Sequence, residues 1–181
     1  MESMKKQSKT NTLRSRLFKL LPPSIQASTV RVLARRGITN DPVEFPPRLN
    51  DVTNVVVVLP ESLLDAVYQI DNIMALLAAF ADARVLYFCE RDTAAFFRNV
   101  SPEATIIEYD RDERFLFSAP FTHYSRALAA RHPEVAILLE RHPDPSLLSL
   151  MSRTGARYRI GYEDSGEFPF LNLRVRPTAD L

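Results

Sequence analysis

Asp65 closes the stretch NVVVVLPESLLD, in which an unbroken apolar run passes through Pro60 into the start of a helical pattern. A carboxylate just past a buried strand can serve as a general base, worth about 10²–10⁴-fold when it takes a proton from an attacking hydroxyl. The same residue completes a capping box. Ser62 followed three residues later by an acid satisfies free N–H groups at a helix start, and the negative charge suits that end of the helix. Both roles fit the local sequence.

A second polar cluster, ERHPDP, places Glu140, Arg141 and His142 directly after another apolar run. Glu140 and His142 are too close on an extended stretch to share a metal with a third ligand in sight. A polar loop that contacts a substrate and a solvated turn both suit the pattern. GYEDSGEFPF gathers Glu163, Asp164 and Glu167 around Gly161 and Gly166, without the fixed carboxylate spacing of a glycosidase. His123 and His132 read as exposed or capping groups. No metal is expected.

The elements that must carry these residues alternate between strand and helix. NVVVVL is too uniformly β-branched for a half-exposed strand and predicts a central strand buried on both faces. Leu63, Val67, Ile70, Met74 and Leu77 then follow one face of a helix. RVLYFC, ATIIEY, EVAILL and YRIGY predict four more strands, and DTAAFFRNV, a segment from about Thr122 to Arg131, and PSLLSLMSRT predict the helices between them. The pattern specifies a doubly wound α/β domain with a mostly parallel sheet, in which ligands bind beyond the carboxyl ends of the strands. That rule nominates Glu61, Ser62, Glu140, Arg141 and His142 as substrate contacts beside Asp65, and also draws in Glu90, Arg91, Asp110 to Asp112 and Tyr162 to Asp164.

Three organisational units follow: a polar tail over 1–12 expected to be disordered, a basic arm and proline-rich linker over 13–50, and the α/β domain over 51–181. Within the arm, Leu13, Leu17 and Leu20 recur at helical spacing between Arg14, Arg16 and Lys19. SIQASTVRVLARRG adds a second basic piece, ending at Gly37. Residues 1–50 hold ten Lys/Arg and three Asp/Glu, a net 10 − 3 = +7; the remainder holds 13 − 19 = −6. Residues 13–37 therefore suit an anionic membrane surface, the folded body or a protein partner.

A single cysteine, Cys89, excludes an internal disulfide and fits a reducing, cytoplasmic compartment. No apolar run reaches the roughly 18 residues of a membrane span. The turn after the first strand contains no glycine, so the dinucleotide fingerprint G-x-G-x-x-G is missing there, and neither a P-loop nor a G-x-S-x-G elbow occurs. No cofactor is expected. The acidic body, whose arginines lack interleaved aromatics, disfavours nucleic acid.

The segment NVVVVLPESLLDAVYQIDNIMALLAAFADARV, Asn54 to Val85, together with PEVAILLE and GARYRIGYE, resembles the N-terminal half of the ADP-heptose:lipopolysaccharide heptosyltransferases, glycosyltransferase family 9. The resemblance covers about Val52 to Pro177, with Leu64 standing where the family has glycine. It implies one Rossmann-like half of a GT-B architecture, the half that holds a saccharide or lipopolysaccharide-core acceptor. It also implies inverting, metal-independent transfer, with Asp65 as the base that deprotonates the acceptor hydroxyl. The nucleotide-sugar would be gripped by a second domain that these residues do not supply. The chain is therefore expected to be inactive alone, as a truncated or stand-alone domain, cytoplasmic or peripheral at the inner membrane. The alternative expectation is a non-catalytic interaction module at a membrane surface or on a partner glycosyltransferase.

Overall fold

The computed structural model describes residues 51–111, 113–164 and 170–176, together with positions 20, 22, 24–26, 28, 29, 32 and 49. The expected tail over 1–12 and most of the arm and linker over 13–50 lie outside the described residues, as do Asp112, Gly166 and Glu167.

The valine run forms β1 (Asn54–Val58), and all four valines are at most 1% exposed. Alternation along the strand divides them. Val55 and Val57 enter one core with Leu59, while Val56 and Val58 enter the other. The chain then forms α1 (Leu63–Tyr68) and α2 (Ile70–Ala79) on either side of Gln69. Next come β2 (Arg84–Glu90), α3 (Arg91–Val100) and β3 (Thr105–Tyr109). After a loop, α4 (Ala119–Ala129), β4 (Val135–Leu138), α5 (Pro145–Arg153), β5 (Tyr158–Tyr162) and β6 (Leu173–Val175) complete the described order.

The six strands lie in the order β3-β2-β1-β4-β5-β6, every neighbouring pair parallel. This is a Rossmann-like α/β sheet. Helices cover both faces: α4 and α5 bring Phe121, Leu128, Leu147, Leu150 and Met151 onto Val56, Val58, Phe88 and Leu138. On the opposite face, Ile73 of α2 and Ala94 and Phe97 of α3 pack on Val55, Val57, Tyr87 and Ile137.

Three features differ from the sequence expectation. The edge strand β6 makes a sixth, because LRV carries no apolar run to announce it. Helix α4 starts at Ala119, earlier than about Thr122, since Ser118 caps it by accepting from the Phe121 N–H at 2.9 Å and Pro120 suits the first turn.

The helix after β1 also turns differently from its apolar pattern. Ala66, Ile70, Ile73, Leu77 and Phe80 form its inward side. Leu63, Val67 and Met74, expected on the same face as Ile70 and Leu77, are exposed, along with Leu64 and Tyr68. The apolar stripe is wider than the sheet can cover.

Candidate functional site

Between β1 and β4 the direction of winding reverses, and the crevice beyond their carboxyl ends is where a doubly wound sheet ordinarily takes a ligand. Three loops meet there: Pro60 to Ser62 after β1, Asp110 to Arg114 after β3, and Leu139 to Asp144 after β4. Glu61, Arg111, Arg114 and Asp144, drawn from all three, are joined by ion pairs.

At the centre sits Arg114, with its side chain fully buried. Its Nη1 and Nη2 donate to Asp144 Oδ1 and Oδ2 at 2.9 and 2.8 Å, the bidentate geometry that guanidinium and carboxylate planes favour. Nη2 also donates to Glu61 Oε1. The guanidinium lies 5.0 Å from the centre of the Tyr109 ring, and Tyr109 Oη donates to the same Glu61 oxygen at 2.9 Å. Arg111 reaches Glu61 Oε2 at 3.0 Å from the solvent side. Among the described residues, Arg114 Nε is the buried side-chain polar atom without a hydrogen-bond partner.

The electrostatics follow from this enclosure. Burial disfavours the charge on Arg114, but the carboxylates of Asp144, first, and Glu61 outweigh it and hold the guanidinium above its usual pKa. Burial likewise pushes the Tyr109 phenol well above its usual value, against the pull of Arg114. The phenol stays protonated and serves as a hydrogen-bond donor.

Second contacts tie the loops down further. Glu140 uses both carboxylate oxygens on backbone N–H groups, accepting from Glu61 at 3.0 Å and from His142 at 2.9 Å. Asp144 is the N-cap of α5 and accepts from the Leu147 N–H at 2.8 Å. Thr93 of α3 donates to the Pro60 carbonyl at 3.2 Å. The three loops are thus tied together by a network that the protein supplies to itself.

The sequence-nominated residues fall into separate groups. Glu61 and Glu140 are joined within the network, Glu61 with only 7% of its side chain exposed. Ser62 and Asp65 sit on the exposed opening of α1, where Ser62 Oγ accepts from the Asp65 N–H at 3.3 Å. That contact is the serine half of the expected capping box. The Asp65 carboxylate forms no ion pair with a described residue. Arg141 lies 5.4 Å from the Tyr162 ring, whose hydroxyl donates to Gln69 Oε1 at 2.7 Å. His142 is exposed.

Sequence reasoning missed Arg114, Tyr109 and Asp144. Its one available signal was the run DERFLF, where a charge leads straight into apolar residues that must be buried. Reasoning confined to carboxyl ends also overlooked a groove of about 670 Å³ at the opposite edge of the sheet. Asn54, Arg84 and Thr105 line it there, at the starts of three strands, with Phe80, Glu103 and Arg131. No group of three or more His, Cys, Asp or Glu among the described residues is placed to hold a metal ion. No helix among them is long and apolar enough to cross a membrane.

Comparisons with protein-family models, with curated proteins and with solved structures return no match to this chain.

Proposed function

We propose that the chain is the acceptor-binding half of a heptosyltransferase-like glycosyltransferase of the GT-B kind, inactive until a second unit supplies the nucleotide-sugar. The carrying observation is the position of Asp65: an exposed carboxylate in the first turn of α1, just past the carboxyl end of central β1. Ser62 accepts from its backbone N–H, and the Glu140 carboxylate holds the Glu61 N–H in the turn before it. In this reading Asp65 takes the proton of an acceptor hydroxyl. The hydroxyl oxygen bonds to the anomeric carbon, and the nucleoside diphosphate leaves from the opposite face. Arg141 and His142, exposed after β4, contact the saccharide or lipopolysaccharide-core acceptor, while Glu61 and Glu140 hold the loops in place.

The test is a calorimetric titration with a heptose-containing core oligosaccharide, paired with an assay for ADP release from ADP-heptose. The acceptor should bind the wild type and Asp65→Asn alike, and neither should release ADP alone. Absence of acceptor binding, or turnover by the isolated chain that Asp65→Asn abolishes, would refute the proposal.

A second reading, a non-catalytic interaction module at a membrane surface or on a partner glycosyltransferase, draws support from the exposed Leu63, Leu64, Val67, Tyr68 and Met74 around Asp65. It is favoured if the chain sediments with anionic vesicles, or co-purifies with such a partner, and loses this on deletion of 1–37.

A further inference from the structure

The outward side of the helix after β1 is an apolar surface edged with acid. Gln69 separates α1 from α2, yet its N–H donates to the Asp65 carbonyl at 3.0 Å and its carbonyl accepts from the Ile73 N–H at 2.9 Å. The hydrogen-bond ladder therefore runs through the junction, and one outward face continues from α1 into α2. Leu64 at 62%, Tyr68 at 78% and Met74 at 40% exposure lie along it, with Val67 beside them. Asp65 and Asp71 are exposed on the same helices. From Leu63 to Ala79 the sequence holds these two acids and no Lys or Arg. A surface of this kind selects for an apolar partner rimmed with positive charge.

The same chain carries such a partner. Residues 13–37 set Leu13, Leu17 and Leu20 among Arg14, Arg16 and Lys19, then Ile25 and Val32 near Arg31, Arg35 and Arg36. Leu20, Ile25 and Val32 are 81%, 48% and 54% exposed, so their side chains too stand largely uncovered in a single copy. We infer that two copies of this chain pair by exchanging these segments, the basic residues 13–37 of each lying on the acidic, apolar α1–α2 face of the other.

Reciprocal exchange closes the assembly as a symmetric pair, because each copy gives one segment and receives one. Reach permits it: the 49 − 32 = 17 residues from Val32 to Leu49 span up to roughly 55 Å when extended. The inference does not depend on Asp65 acting as a base.

Sedimentation velocity of the full chain at tens of micromolar tests it. A dimer is expected at about 50 mM salt, shifting toward monomer at about 500 mM as screening shortens the range of the charge attraction. Val67→Asp with Met74→Asp should give monomer at low salt, with an unchanged circular dichroism spectrum because both positions are exposed. Arg14→Glu with Arg16→Glu and Lys19→Glu should do the same. Mixing this arm variant with Asp71→Lys should restore dimers, since the mixed pair matches charge at both contacts. A wild type that is monomeric at low salt overturns the inference, including one whose arm packs on its own body. So does association that either the helix-face or the arm substitutions leave intact.

Discussion

Removing Arg114 tests whether the loop network holds the fold together. In Arg114→Met the apolar stem is retained and the guanidinium is lost, leaving Glu61, 7% exposed, and Asp144, 39% exposed, without their shared cation. Taking one partner from a buried ion pair costs about 3–5 kcal/mol, because the remaining charge stays desolvated. The lower end applies here, at about 3 kcal/mol, since Arg111 still reaches Glu61 and Asp144 opens to solvent while keeping its cap to Leu147. Urea unfolding followed by circular dichroism should show this loss with an unchanged m-value. Heating should lower Tm by roughly 6–12 °C for a chain of this length. Adding Glu61→Gln should recover part of the loss, because the stranded charge disappears with it. A loss below about 1 kcal/mol, or a double variant whose cost equals the sum of the two singles, would refute the view that these groups act as one buried unit.

Other perturbations probe the sheet. The Glu134 carboxylate accepts from the Thr53 and Asn54 N–H groups at 2.6 and 3.2 Å, and the Thr53 contact above all holds its pKa below the usual 4.5. Its contribution is therefore present above pH 4.5 and lost as pH falls through the lowered value; between pH 6 and 3, Glu134→Gln should lose less stability than the wild type in urea titrations. Cys89 is fully buried, and burial first, then the Glu108 charge, pushes its thiol up to about 12. A disulfide reagent at neutral pH should label it only at the rate of unfolding, and rapid labelling of the native protein would contradict the packing around β2. In Gly161→Ala the new Cβ would sit 2.7 Å from Leu171 Cδ1, on a side chain itself 1% exposed. A cost of about 1–3 kcal/mol in chemical denaturation is expected from that overpacking.

The strands β1 to β5 were readable because buried parallel strands are written as β-branched runs, and NVVVV and VAIL are such runs. The helices between them followed from apolar spacing. What spacing could not show is how much of an apolar stripe a sheet will cover. Leu63, Val67 and Met74 share the periodicity of Ile70 and Leu77, yet only the latter two turn toward the core, since a helix lies on a sheet along a narrow line. Glu61 and Glu140 were readable as polar groups at carboxyl ends. Their mutual engagement was not, nor was that of Glu61 with Arg114, because both contacts are made by the packing of loops distant in sequence. Asp65 remained where its local pattern placed it, since a helix cap needs only its near neighbours.

The central place of β1 also has a consequence for the chain as it is made. Val55 pairs with Val85 on one side and with Val135 on the other, and the second partner lies 135 − 55 = 80 residues downstream. At synthesis rates of about 5–20 residues per second, the valine run waits on the order of 4–16 s after its own emergence before β4 exists to cover its open edge. Four consecutive valines without charge or proline are the kind of segment that pairs with any strand it meets. Asn54 and Pro60 bracket the run and limit its length as a template. The moment of greatest exposure for this fold thus falls during its own translation, long before any ligand or partner is met.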